Sequence, residues 1–285
     1  ATRPPSDGLK IVSDIDDTCL ASFGPGGVDR RLPTGTVYPG IVELYYQLDY
    51  CNNAHLGGGN CAWSMQGNLT LLTARPTLYK GLSMRASHSQ FAALIASKGL
   101  HTVPNILSGD IKSAAPMLLG DSRAISEKKL SNFHEYKTLY PEAGFVFFGD
   151  NGQGDEAVAR RLASAYPAHC KLCVVHVVQP VDERERKKMD GLPVVYCDNY
   201  VEAAVAAHRR GLIHCAALHA VASAAIKEYG AIILELLASM APVNTALQML
   251  PALQRGVARV NEMLAGQFPP LSLDDTVRLA TRATS

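Results

Sequence analysis

The 285-residue sequence predicts an α/β fold: a parallel sheet with helices on both faces, followed by an α-helical C-terminal extension. Three observations predict it. Short apolar runs rich in β-branched residues alternate with stretches of helical period, the signature of βαβ units. Three of the four apolar runs end in loops loaded with polar residues, as happens beyond the carboxyl ends of parallel strands. After about residue 200 the composition becomes Ala- and Leu-rich with helical periodicity. The shift divides the chain into an α/β domain, 1–199, and a helical extension, 200–285.

The elements follow in order. "LKIVSDI" (9–15) reads as a buried strand ended by acids. A Gly- and Pro-rich loop follows, and then "GIVELYYQLDYC" carries Ile41, Leu44, Tyr45 and Leu48 on one helical stripe. "NNAHLGGGNCAWSMQG" is a flexible insert; its three glycines lack the Lys-Ser/Thr ending of a phosphate-binding loop. "NLTLLTARP" is a second strand. "LYKGLSMRASHSQFAALIASKG" has helical character and closes near Gly99. Residues 100–123 mix short apolar pieces with Gly and Pro and show no dominant period.

"SEKKLSNFHEYKTLYP" reads as a helix with Ser126 as its N-cap and Pro141 as its stop. "AGFVFFGDNGQGD" is a third strand running into a Gly-rich acidic loop, "EAVARRLASAYP" a helix, and "CKLCVVHVV" a fourth strand. Beyond 200, three helical stretches follow: "YVEAAVAAHRRGLI", "ALHAVASAAIKEYGAIILELLASM" and "TALQMLPALQRGVARVNEMLAG". Their apolar stripes are packing faces against the α/β part or one another, with a protein-partner surface as the lesser reading.

Bulk properties exclude several classes. The formal net charge is +1, with no basic footprint for nucleic acid. The apolar stretch 211–226 is short for a bilayer span and carries two histidines, so no transmembrane segment is expected. Seven cysteines, at 19, 51, 61, 170, 173, 197 and 215, do not make a disulfide framework. Cys170 and Cys173 form one C-x-x-C with no second pair at zinc spacing, and read as ordinary thiols. An intracellular setting is therefore expected. The opening "ATRPPSDG" lacks methionine and an apolar signal segment; either a targeting segment has been removed or the sequence is trimmed. The compartment is then cytoplasmic, or organellar (mitochondrial) in the first case. No G-x-S-x-G or H-E-x-x-H signature is present, and His55, His88, His101 and His134 have no partner at ligand spacing.

One constellation carries chemistry. Asp14, Asp16 and Asp17 crowd the end of the first strand, and such crowding is costly unless something compensates it. Alone this is a solvated turn. In order with it come Thr73 at the end of the second strand, Lys129 in a helix, and Asp150 and Asp155 after the third strand. This order resembles the haloacid dehalogenase superfamily of phosphohydrolases, and more closely the catalytic domain of actin-patch-type phosphatidate phosphatases. The residues that carry the resemblance are Ser13–Thr18, Pro39–Leu48, Thr73–Pro76, Lys129–Pro141 and Gly149–Asp155. It covers roughly residues 9–180.

The resemblance implies a Rossmann-like sheet and a Mg²⁺-dependent phosphatase acting on a phosphorylated lipid, small molecule or protein. It implies Asp14 as nucleophile and metal ligand, and Asp16 as general acid and base whose backbone carbonyl is a further ligand. Asp150 would bind Mg²⁺ directly, with Asp155 as ligand or close support. Thr73 would hydrogen-bond the phosphoryl oxygens and Lys129 would neutralise them. Each residue type suits this chemistry, because carboxylates are hard ligands for Mg²⁺ and cations offset the charge that repels an anionic nucleophile. Asp17 and Thr18 are expected to shape the loop. Lys128 and Lys137 are rivals to Lys129, whose distance to Pro141 matches the family's spacing. Arg75 departs from the small residue usual in that family, and Asn151 stands for its common serine. The competing reading is a scaffold or assembly subunit that keeps the fold without the activity.

Overall fold

Among the described residues, six strands form one sheet: β1 (Leu9–Ser13), β2 (Leu69–Pro76), β3 (Asn105–Gly109), β4 (Gly144–Asp150), β5 (Cys170–His176) and β6 (Val194–Cys197). Every pairing is parallel, and the spatial order is β3-β2-β1-β4-β5-β6. The computed structural model describes residues 8–22, 28–53, 68–76, 99–102, 104–109 and 122–278, with backbone alone at 73–76 and 108–109. The helix expected at 78–99 lies outside these apart from Gly99, and so does the Gly-rich insert expected at 52–67, except that Asn52 and Asn53 belong to the helix Ile41–Asn53 instead.

The chain steps outward from β1 through β2 to β3, then returns to the other side of β1 as β4. The order therefore reverses between β1 and β4, and the crevice beyond their carboxyl ends is where parallel sheets place ligands.

Alternation along the strands builds two cores. Ile11, Leu71, Val146, Phe148, Leu172 and Val174 face one way, against α1 (Ile41–Asn53), α5 (Tyr200–Arg209), α6 (Cys215–Ala238) and α8 (Leu250–Met263). Val12, Leu72, Phe145, Phe147, Cys173 and Val175 face the other way, against α2 (Ser122–Leu139) and α3 (Asp155–Ala165). Helices on both faces and apolar runs in every central strand are the mark of a doubly covered parallel sheet. The predicted stripe of α1, with Ile41, Leu44, Tyr45 and Leu48, is wholly buried. Two short helices, α4 (Glu183–Lys187) and α7 (Asn244–Leu247), complete the set.

The first core is continuous from β1 to α8, so the helices beyond residue 200 pack directly on the sheet. Their attachment is polar as well. Glu228 of α6 accepts a 2.7 Å bond from the Gly40 N–H, just ahead of α1, where a helix start leaves amides needing an acceptor. No helix among the described residues is long and apolar enough to cross a membrane.

Three expectations are corrected. β3 and β6 add to the four expected strands: "NILSG" lies in the stretch without a dominant period, and "VVYC" is only four residues long. The helix carrying Lys129 begins at Ser122, so Ser126 is not its cap; the Ser126 hydroxyl instead bonds back to the Ser122 carbonyl at 2.7 Å. The run at 245–266 is two helices, because Pro251 starts a new one in α8.

Candidate functional site

Asp14 directly follows β1, and its N–H donates to the Phe148 carbonyl of β4 at 2.9 Å. Asp150 is the last residue of β4, so the two carboxylates flank the reversal point. Asp155 opens α3, and two glycines bring it back over the strand end. A Cβ on Gly149 would lie 2.5 Å from Asp155 Cβ. Gly154 has φ +90°, and a Cβ there would meet Ser126 Oγ at 2.5 Å. That close approach is used: Ser126 Oγ also donates to the Gly154 carbonyl at 2.9 Å, tying α2 to the start of α3.

One turn further along α2, Lys129 reaches across. Its ammonium lies 2.7 Å from Asp14 Oδ1 and 2.6 Å from Asp155 Oδ1, and its side chain is only 3% exposed. Lys137 is committed elsewhere, donating to the carbonyls of Tyr140, Pro141 and Ala143 at the end of α2. Of Lys129 and Lys137, Lys129 is the one that joins the acids.

The charges at this site do not balance. Asp14, Asp150 and Asp155 are all buried, and each offers an oxygen within 4.8 Å of the others. Among the described residues, one ammonium, paired with Asp14 and Asp155, faces the three carboxyls. Burial, opposed by Lys129 and reinforced by Asp155 and Asp16, pushes the Asp14 carboxyl up to about 8. Burial, with Asp155 and Asp14 close by, raises Asp150 well above the carboxylate range. Burial raises Asp155 too, against the pull of Lys129. The three acids in turn raise Lys129 despite its burial, so it stays charged.

This arrangement fits a divalent cation. Asp150 Oδ2 and Asp155 Oδ2 are buried with no hydrogen-bond partner among the described residues. Buried carboxylate oxygens are costly when unpartnered, and hard oxygen donors of this kind suit a divalent cation. The Asp16 carboxyl is outside this group of three; it accepts a bond from Ser22 Oγ instead.

Asp17 shapes the loop. Its carboxylate collects the amides of Ser22, Val28 and Asp29, and its φ of 54° turns the chain back so that Leu20 bridges to Asp16. Thr73 is placed by its backbone in β2, beside β1; its side chain and that of Arg75 are outside the described part. Asn151 bonds the amides of Val178 and Gln179 and so pins the loop after β5.

Three groups near the acids escape sequence reasoning. Ser22, which holds Asp16, leaves no signal in a Gly-rich loop. His176 does leave one: it ends an apolar strand as Asp14 does, and it sits in register with Asp150. Tyr200 reads in the sequence as one more helix-packing residue. Comparison with protein-family models, with curated proteins and with solved structures returns no match.

Proposed function

We propose that the protein is a Mg²⁺-dependent phosphomonoester hydrolase of the haloacid dehalogenase type, working through an aspartyl-phosphate on Asp14. The observation that supports this most is the junction of Lys129 with Asp14 and Asp155, beside Asp150, at the reversal point of a parallel sheet. A scaffold gains nothing from burying three carboxyls on one ammonium.

Mg²⁺ held by Asp14, Asp150 and Asp155 would offset the charge of the phosphate and admit an anionic nucleophile. The chain's own residues do the rest. Lys129 fixes the Asp14 carboxylate and, with the cation, favours its ionised form as it attacks phosphorus. The Asp14–phosphorus bond forms as the bond to the leaving oxygen breaks, and Asp16 gives that oxygen its proton. Asp16 then takes a proton from the water that attacks the aspartyl-phosphate, which releases phosphate and restores Asp14. Phosphatidate is the first substrate to test, because the resemblance over residues 9–180 implies it; fold alone does not select it.

The test is release of inorganic phosphate from p-nitrophenyl phosphate, phosphatidate, sugar phosphates and phosphopeptides, with and without Mg²⁺. Release that needs Mg²⁺ and vanishes in Asp14→Asn is expected. Equal inactivity of wild type and Asp14→Asn on all four classes would overturn the reading.

A further inference from the structure

Four of the five backbone carbonyls in Asp14–Thr18 have named donors. Ser13 Oγ serves Asp14 at 2.7 Å, and the Cys19 and Leu20 amides converge on Ile15. The other two donors come from far along the chain. His176 Nδ1 lies 2.7 Å from the Asp17 carbonyl, and Tyr200 Oη 2.6 Å from the Thr18 carbonyl.

Both side chains are about 1% exposed, and their rings lie 5.3 Å apart beneath the loop. Tyr38 packs edge-on to His176 at 4.5 Å and closes the group. A carbonyl only accepts, so Nδ1 must carry the proton. Burial, with Arg31 nearby, holds the ring neutral, pushed down to about 4.

The segment they grip needs holding. Asp17 sits in the left-handed region, which costs a non-glycine residue on the order of 1–2 kcal/mol and persists only where surroundings over-determine it. Its peptide lies one residue past Asp16 and three past Asp14. Rotation there would swing Asp14 away from Lys129 and Asp16 away from Ser22.

We propose that His176 and Tyr200 are positioning residues that clamp the acidic loop from its buried side and so set Asp14 and Asp16 for phosphoryl transfer. The clamp rests on the phosphatase reading for its purpose, while its grip on the loop is independent of that reading. It also gives residues beyond 199 a role: α5 supplies Tyr200, and the loop is incomplete without it.

Three variants of the full chain test this. Tyr200→Phe and His176→Leu each remove one donor, whereas His176→Asn keeps an N–H near the Nδ1 position. Hydrogen exchange by mass spectrometry is read for peptides over 14–22 and over 144–150, together with kcat and KM for p-nitrophenyl phosphate.

Tyr200→Phe and His176→Leu should speed exchange over 14–22 about tenfold, the size of one net hydrogen bond, with 144–150 unchanged. They should lower kcat on the order of 10- to 100-fold, with KM within about threefold, as small misplacements of reacting groups do. His176→Asn should recover both. Unchanged exchange over 14–22, or a rise equal to that over 144–150, would make the two ordinary core residues and overturn the clamp. A kcat unaffected by faster exchange would overturn the positioning role. If wild type releases no phosphate, the chemical reading fails alone, and the exchange comparison still decides the grip.

Discussion

The two ends of the sheet bury aspartates in opposite ways. At the amino ends of β1 and β2, Asp49 of α1 takes the Asn53 and Asn68 amides on one oxygen, at 2.6 and 2.9 Å, and His101 Nε2 on the other at 2.8 Å. Lys10 reaches the same group through Asn68 and lies over the Tyr140 ring. At the carboxyl ends, Asp14 and Asp155 share Lys129 with Asp150 beside them, and one buried oxygen each of Asp150 and Asp155 has no partner among the described residues. In the first arrangement both carboxylate oxygens have partners. In the second, two carboxylate oxygens have none among the described residues. Buried acids as such do not mark a functional site; acids left unsatisfied do.

Exchanging one acid at each end breaks the comparison most sharply. Asp14→Asn should lower phosphate release on the order of 10³-fold or more, measured at saturating Mg²⁺, if Asp14 is the nucleophile proposed above. Asp49→Ala should leave kcat within about threefold and instead lower unfolding stability by about 2–4 kcal/mol in urea. It removes an acceptor shared by two side-chain amides and a histidine. Similar losses of activity in both would erase the distinction.

Mg²⁺ should separate the ends next. At about a hundred times its dissociation constant it should stabilise wild type by about 2.7 kcal/mol, read as a rise in melting temperature. Asp150→Asn should lose most of that rise and Asp49→Ala should keep it. A rise that survives in Asp150→Asn would place the cation elsewhere.

The pH profile sharpens the same point. Buried Asp14 titrates at about 8, against an ordinary value of 3.8. Between these values the folded chain holds a proton that the unfolded chain has released. Metal-free wild type should therefore lose stability, relative to Asp14→Asn, as pH rises from about 4 to about 8. Saturating Mg²⁺ should remove that loss by favouring the ionised form. A gap that is flat with pH without metal would show that the carboxyl is not strained by burial.

The smallest effect concerns a lysine outside both clusters. Lys137→Met leaves three carbonyls at the end of α2 without their shared donor and should cost about 1–2 kcal/mol, with kcat unchanged.

Much of this is legible in the sequence where a local pattern has one physical meaning. β1, β4 and β5 are apolar runs with no competing period, and the α1 stripe is buried as its spacing predicts. Asp14 stands out because crowded carboxylates at the end of a buried strand are expensive, whereas Asp150, Asp155 and Lys129 are picked out by the order and spacing of the family resemblance. What stays hidden is long-range. Nothing local tells that Tyr200, in an Ala-rich helix, bonds a carbonyl 182 positions earlier, or that Ser22 bonds the Asp16 carboxyl. β3 is hidden by its Asn, Ser and Gly, and the start of α2 by a serine that bonds backwards instead of capping.

The central claim is that Asp14 is a nucleophile, and the covalent intermediate tests it most directly. Wild type and Asp14→Asn are mixed with Mg²⁺ and p-nitrophenyl phosphate, quenched in acid, reduced with borohydride and digested for mass spectrometry. An acyl phosphate on an aspartate is reduced to homoserine, so homoserine at position 14, in wild type only and only with Mg²⁺, is the predicted result. Steady phosphate release with aspartate intact at position 14, or with homoserine at another aspartate, would contradict it.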